Sequence, residues 1–241
     1  MNFNDHSNLT GKHAYLSPSK PIFLKETDER TMTKRDSLFR KTLGTIIHEY
    51  AADQIDMRIK ATGVRDVIKG VSTNIYRQYC KNHSYSISDN YELRSQYLYG
   101  MNLIDRLKQI PKETFAMVVN YINDGISFKM TPEQVLYYSS FCFGTADTIC
   151  FRNNTLRIHD LKTGDKPADI GQLLTYAALF CLEYDVRPGD IQIVLRFYQR
   201  DNFVEVIPTT PEIAKTMDII SHKSDILKQT GGEYNGWWYF W

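Results

Sequence analysis

Apolar positions change their period along the chain, and the change divides it. Leu43, Ile46, Ile47, Ala51 and Ile55 recur at helical spacing and predict a helix over residues 36–60. The charged stretch 25–35 before it reads as a loop, and residues 1–13 as a mobile arm. The serines of Ala14-Tyr-Leu-Ser-Pro-Ser19 suit a helix cap or a phosphate contact. Three further helices are predicted over 64–80, 90–108 and 112–121, with Pro111 placed to open the last. From Thr131 the alternation becomes that of strands: 133–141, 145–151 and 156–162. A helix over 171–184 buries Leu173, Leu174, Ala177, Ala178 and Cys181. Strands over 191–198 and 203–207 follow, joined by a turn at 199–202, then a helix from Pro211 to about residue 228. This order predicts an α/β fold, one mixed sheet flanked by helices, in a single domain over 1–241 with residues 62–125 as a mainly helical insertion.

The stretch richest in chemistry is the predicted hairpin. Asn tolerates positive φ, so Asn153-Asn154 suits a two-residue type I′ turn. That turn sets Arg152 opposite Thr155, and stepping back sets Asp147 opposite Asp160. Side chains so paired have Cβ atoms about 4.5–5.5 Å apart. Lys162, two residues on, projects from the face of Asp160. Two opposed carboxylates repel unless a positive charge sits between them, and a divalent cation such as Mg²⁺ accepts such hard oxygen ligands. A solvated pair of aspartates beside a lysine is the alternative. Gln172 and Tyr176 share a helix face, four residues apart.

Gly144-x-x-Asp147, the hairpin, Asp160-x-Lys162-Thr163-Gly164, Gln172-x-x-x-Tyr176 and the upstream Gly44-x-x-x-His48-Glu49 occur in that order. Together they resemble the PD-(D/E)XK nuclease superfamily, and within it the RecB-like exonuclease branch of phage and CRISPR-associated enzymes. The resemblance covers about residues 14–60 and 130–207. It implies a restriction-endonuclease-like α-β-β-β-α-β core and metal-dependent hydrolysis of DNA phosphodiesters. It implies catalytic roles for Asp147, Asp160 and Lys162, and a Mg²⁺ or Mn²⁺ ion held by His48, Asp147, Asp160 and the Leu161 backbone. Gln172 and Tyr176 would then place the DNA strand. Glu133 and Glu49 are candidates for support around the metal; a strand-edge Glu is the plainer reading of Glu133. Asp160 stands where many relatives carry Glu, a departure that RecB-like members share.

The net charge of +1 excludes bulk attraction to nucleic acid, so a DNA face must come from local clustering. Lys34, Arg35, Arg40 and Lys41 form one cluster, with Arg40 and Lys41 the candidates for DNA contact; a solvated helix face is the alternative. The Tyr-rich helical section, Tyr76 to Tyr99, can stack on bases, but a helical core with Tyr at its rim is the favoured reading. Four scattered cysteines, with no Cys-x-x-Cys pair, read as isolated thiols. Many RecB-like relatives hold an iron–sulfur cluster by one Cys before the His and three near the C-terminus. Neither place carries Cys here, and residues 231–241 are aromatic instead, so no cluster is expected. No apolar run reaches a membrane span and no secretory signal is evident, which sets the expectation of a cytoplasmic protein, bacterial or from a phage-infected host.

The functional expectation is an exonuclease acting on DNA ends in recombination, repair or phage DNA metabolism, with a recombination or strand-annealing protein as a possible partner. A structure-specific or nicking endonuclease is one rival. A non-catalytic DNA-binding or assembly module on the same fold is another, and the intact Asp147, Asp160 and Lys162 weigh against it. A nucleotide-binding Mg²⁺ enzyme lacks support, because no Gly-x-x-x-x-Gly-Lys loop is present.

Overall fold

The computed structural model describes residues 25–81, 91–164 and 167–229. The expected arm, the Ala14–Ser19 segment and the aromatic tail lie outside them. The chain divides into two compact units, residues 1–42 and 43–241, and the division falls within helix α1 (Asp28–Asp56). That helix starts earlier than its apolar stripe implies, which corrects the loop expected over 25–35. Its N-terminus is capped: the Arg30 amide donates to Thr27 Oγ1 at 3.3 Å, and Asp28 and Glu29 occupy the first turn. Lys34 pairs with Glu26, so the charges that looked like a loop hold a helix.

In the second unit, α2 (Val64–Ile75) continues through one π-helical turn, Tyr76–Cys80. Helices α3 (Tyr91–Leu107) and α4 (Lys112–Ser127) follow, with Pro111 at the α4 N-cap. Strands β1 (Thr131–Ser139), β2 (Cys142–Arg152) and β3 (Thr155–Lys162) form a meander. Helix α5 (Ile170–Glu183) crosses over to β4 (Gln192–Gln199); β5 (Asn202–Val206) and α6 (Thr210–Gln229) complete the order. The sheet runs β1-β2-β3-β4-β5 and is mixed, with β3 and β4 its parallel pair and the other neighbours antiparallel. The fold is therefore α/β, a five-stranded mixed sheet flanked by helices.

Two layers cover the sheet. Leu173, Ala177 and Phe180 of α5, with Ile213 and Ile220 of α6, bury Leu136, Ile149, Ile158 and Leu195 of the strands. On the other face lies α4, and the later part of α1 packs on it closely enough that a Cβ on Gly125 would meet Ile55 Cδ1 at 2.8 Å. All four cysteines are free, Cys80 and Cys181 buried and Cys142 and Cys150 half-buried. Tyr79 and Tyr99 pack ring to ring within the helical section, and Tyr76 is exposed. Among the described residues, no helix is long and apolar enough to cross a membrane.

Candidate active site

The hairpin turn is as its sequence dictates. Asn153 and Asn154 have φ of 48° and 57°, the two positive values a type I′ turn requires. The register follows from Arg152↔Thr155 to Thr148↔His159. There the regular ladder stops, one step short of Asp147 and Asp160, so the direct pairing expected of them is not a ladder pair.

The reason is a break in the alternation of β2 at Asp147, with its register to β1 unchanged. Ala146 and Ile149 both belong to the core against α5, although strict alternation would put residues three apart on opposite faces. The neighbouring ladder is interrupted at the same level: Thr131↔Ile149 and Pro132↔Thr148 resume at Gln134↔Ala146, leaving out Glu133 and Asp147. Glu133 has φ 49°, a left-handed conformation that a strand-interior Glu adopts only under constraint. Glu133, Asp147 and Asp160 thus lie at one level across three neighbouring strands.

Asp147, released from regular pairing, is held by its side chain. Its Oδ2 accepts from the Leu161 amide at 2.9 Å and lies 3.4 Å from His48 Nδ1. Burial alone would lower the His48 pKa. The hydrogen bond and charge of Asp147, with Asp160 and Glu133, more than offset this, and the net shift is upward. Asp160 is 1% exposed. Burial and then Asp147 raise its pKa to about 6, against the pull of Lys162. Lys162 Nζ donates to Asp160 Oδ1 at 3.0 Å and to Gln172 Oε1 at 2.9 Å. Nζ also lies 2.9 Å from Asp160 Oδ2, but no hydrogen bond to that buried oxygen has acceptable geometry. It is an anionic oxygen with attraction but no donor.

The motif glycines serve close approach. A Cβ on Gly44 would sit 3.0 Å from Thr163 Oγ1, so this glycine lets α1 meet the end of β3. A Cβ on Gly144 would sit 3.1 Å from Tyr176 Cε1, which lets α5 lay its tyrosine on β2. The Tyr176 hydroxyl accepts from Gln172 Nε2 at 3.5 Å, on the helix face the i, i+4 spacing predicts. Asp169 starts that helix by accepting from the Gly171 amide at 2.9 Å.

A cleft beside the carboxylates is lined by Gly44, His48, Glu49, Glu133 and Asp147. Burial and Asp147 push Glu133 above the usual carboxylate range, with His48 opposing and Glu49 adding. The structure thus brings together His48, Glu133, Asp147, Asp160, Leu161, Lys162, Gln172 and Tyr176, with Glu49 at the rim. Arg40 and Lys41 are exposed on the first-unit part of α1.

Sequence reasoning missed a buried polar network behind the site. Tyr198 donates to Asp124 Oδ2 at 2.6 Å, and Arg196 donates to Asp124 at 2.8 Å and to the Tyr198 hydroxyl at 3.1 Å. His159, fully buried next to Asp160, places Nδ1 3.3 Å from that hydroxyl. The hydroxyl proton is committed to Asp124, so Nδ1 carries the hydrogen and Nε2 is left bare. Burial, then Arg196 and Arg157, lower the His159 pKa to about 3. Tyr121 of α4 shares a hydrogen bond with Thr148, and burial with Asp147 raises its pKa well above the usual value. The available signal was strand alternation in β3, which sets His159 on the face opposite Asp160.

The donor set suits a hard divalent cation: two neighbouring carboxylates, a buried oxygen without a donor, and an imidazole. Among the described residues no three His, Cys, Asp or Glu side chains already converge as a ready-made metal cage. Instead Asp160 is paired with the Lys162 ammonium, and Asp147 lies beside the His48 imidazole. Compared with known proteins, the chain matches no family model, no curated protein and no solved structure.

Proposed function

We propose that the chain is a metal-dependent deoxyribonuclease of the PD-(D/E)XK type, RecB-like, acting as an exonuclease at DNA ends. The observation that carries the reading is the meeting of separate motifs at one place. The Gly-x-x-x-His helix, the Gly-x-x-Asp strand, the Asp-x-Lys strand and the Gln-x-x-x-Tyr helix touch through Gly44–Thr163, His48–Asp147, Gly144–Tyr176 and Lys162–Gln172. The element order and mixed sheet agree with a restriction-endonuclease-like core.

Asp147 and Asp160 would hold Mg²⁺ or Mn²⁺, with His48 and the Leu161 backbone beside them. When bound, such an ion polarises a phosphoryl oxygen and lowers the pKa of an attacking water. The protein's own groups do the rest. The Leu161 amide and His48 fix Asp147 Oδ2, so the carboxylate keeps one orientation. Gln172 holds the Lys162 ammonium at the edge of Asp160, from where it can donate to a phosphate oxygen as charge develops in the transition state. Tyr176, packed on Gly144, limits how far Gln172 can move.

The test is cleavage of an end-labelled linear duplex beside a covalently closed circle, with Mg²⁺, Mn²⁺ or EDTA. Metal-dependent loss of the linear DNA alone is the expected result. Cutting of the circle would reassign the enzyme as an endonuclease. DNA binding without cutting of either substrate would favour the non-catalytic module.

A further inference from the structure

A second charged site lies at the turn end of the hairpin, away from the carboxylates. Lys129, Arg152 and Arg157 line a cleft with Phe128, Asn153 and Thr155. Arg152 pairs with Thr155 and Cys150 with Arg157, so the two arginines are diagonal neighbours on one face of the hairpin. Backbones in that relation are about 7–8 Å apart. Lys129 comes from the α4–β1 turn, in a left-handed conformation with φ 57°. Among the described residues no carboxylate pairs with any of the three cations. Arg196 shows the contrast: it reaches the same Phe128 ring yet is neutralised by Asp124 at 2.8 Å and by Glu205. Nor does Cys150 supply an anion, because burial raises its thiol pKa against the pull of Arg157 and Arg152.

Like charges gathered on one face cost stability, and among the described residues no acid offsets them. The cleft is also prepared for a ligand. Arg157 is held 4.6 Å over the Phe128 ring, which reduces the freedom its guanidinium loses on binding. Asn153 and Thr155 add neutral polar groups at the rim. Guanidinium forks match phosphate oxygens in geometry as well as charge.

We infer that this cleft binds a backbone phosphate of a nucleic-acid strand, at a position distinct from the scissile one; this rests on the nuclease reading above. Arg157 precedes Asp160 by three residues on β3, and Arg152 follows Asp147 by five on β2. At roughly 3.3 Å per residue this is about 10–17 Å along the strands. Arg157 shares the strand parity of His159, so the cleft opens on the sheet face opposite Asp160, and a strand reaching both must pass round the sheet on a path longer than this. The cleft would act as a second grip that sets how far the strand extends past the cut.

The experiment measures binding of a fluorescein-labelled DNA oligonucleotide to the full chain in EDTA, by anisotropy across a KCl series. Arg152→Ala/Arg157→Ala is expected to weaken binding about tenfold or more and to reduce the salt slope by roughly 0.7–0.9, the share of one phosphate. Its melting temperature should hold or rise, since repulsion is relieved. Arg152→Lys/Arg157→Lys should keep most of the slope. Wild-type affinity and slope in the alanine variant would overturn the inference and leave the nuclease reading standing. Protection of the wild type alone by inorganic phosphate, with DNA binding unchanged in the variant, would also overturn it, in favour of a free-anion site. Failure of the wild type to bind DNA would overturn both readings. Loss of binding in the variant of a chain that cuts no DNA would support the grip and overturn the nuclease.

Discussion

His48 Nδ1 lies 3.4 Å from Asp147 Oδ2, joining a helix to a strand far along the chain. With Lys162 on Asp160, this gives each carboxylate of the pair its own side-chain partner. A divalent cation entering the site must compete with both. The two contacts hold Asp147 and Asp160 side by side, and on the proposed reading they give His48 and Lys162 different tasks.

Lys162→Ala should cut turnover by about 10²–10³-fold, the usual effect of removing one group that stabilises transition-state charge. It should keep Mn²⁺ binding by calorimetry, because Asp147 and Asp160 remain. Its melting temperature at pH 8 without metal should fall, because buried Asp160 loses its nearest cation. Loss of Mn²⁺ binding in this variant would contradict the role given to Lys162.

Asp160→Asn should change stability in a pH-dependent way. The Asp160 pKa is raised to about 6 in the fold from an ordinary 3.8. The folded state therefore binds the extra proton between these values, and the carboxylate costs stability as pH rises through that window. The variant should gain about 3 kcal/mol over wild type above pH 6.5 and nothing below pH 4. His159 has the opposite sign: its folded pKa of about 3 lies below the ordinary 6.5, so its contribution is complete above 6.5 and is lost as pH falls. Removing Asp160 should unmask that loss, and urea titrations from pH 4 to 7 should show stability rising with pH more steeply in the variant.

Tyr198→Phe should destabilise by about 1–3 kcal/mol in denaturant unfolding, since Asp124 loses a short donor and Arg196 and His159 lose the shared oxygen. An unchanged midpoint would mean that the network is not closed as described.

Gly144→Ala should lower cleavage with little change in melting temperature, by pushing the Tyr176 ring that a Cβ would meet at 3.1 Å. In a double-mutant cycle its effect should largely disappear on a Tyr176→Ala background. Additive effects would show that Gly144 acts elsewhere.

Much of this was legible in the chain. Asn153-Asn154 set the hairpin turn and its register as far as Thr148↔His159. The motifs of Gly44 and Gly144 were legible, but the close approach those glycines allow was not, since it is set by the packing of α1 and α5. The broken alternation at Asp147 was not legible, because it depends on Ala146 and Ile149 both being drawn into the core against α5, a tertiary demand that overrides alternation. The left-handed Glu133 opposite it was hidden for the same reason. The early start of α1 was masked by charges that look loop-like until Thr27 is seen as a cap. The Tyr198 network assembles groups from α4, β3, β4 and β5, and no local pattern announces such a meeting.

The measurement that tests the central claim most directly is the initial rate of linear-duplex cleavage by wild type and Asp160→Asn, across a Mn²⁺ titration that starts in EDTA. The account predicts no cutting in EDTA, a saturable rise with metal in the wild type, and a rate at least about a hundredfold lower in the variant. Cutting in EDTA, or equal rates for the two proteins, would contradict it.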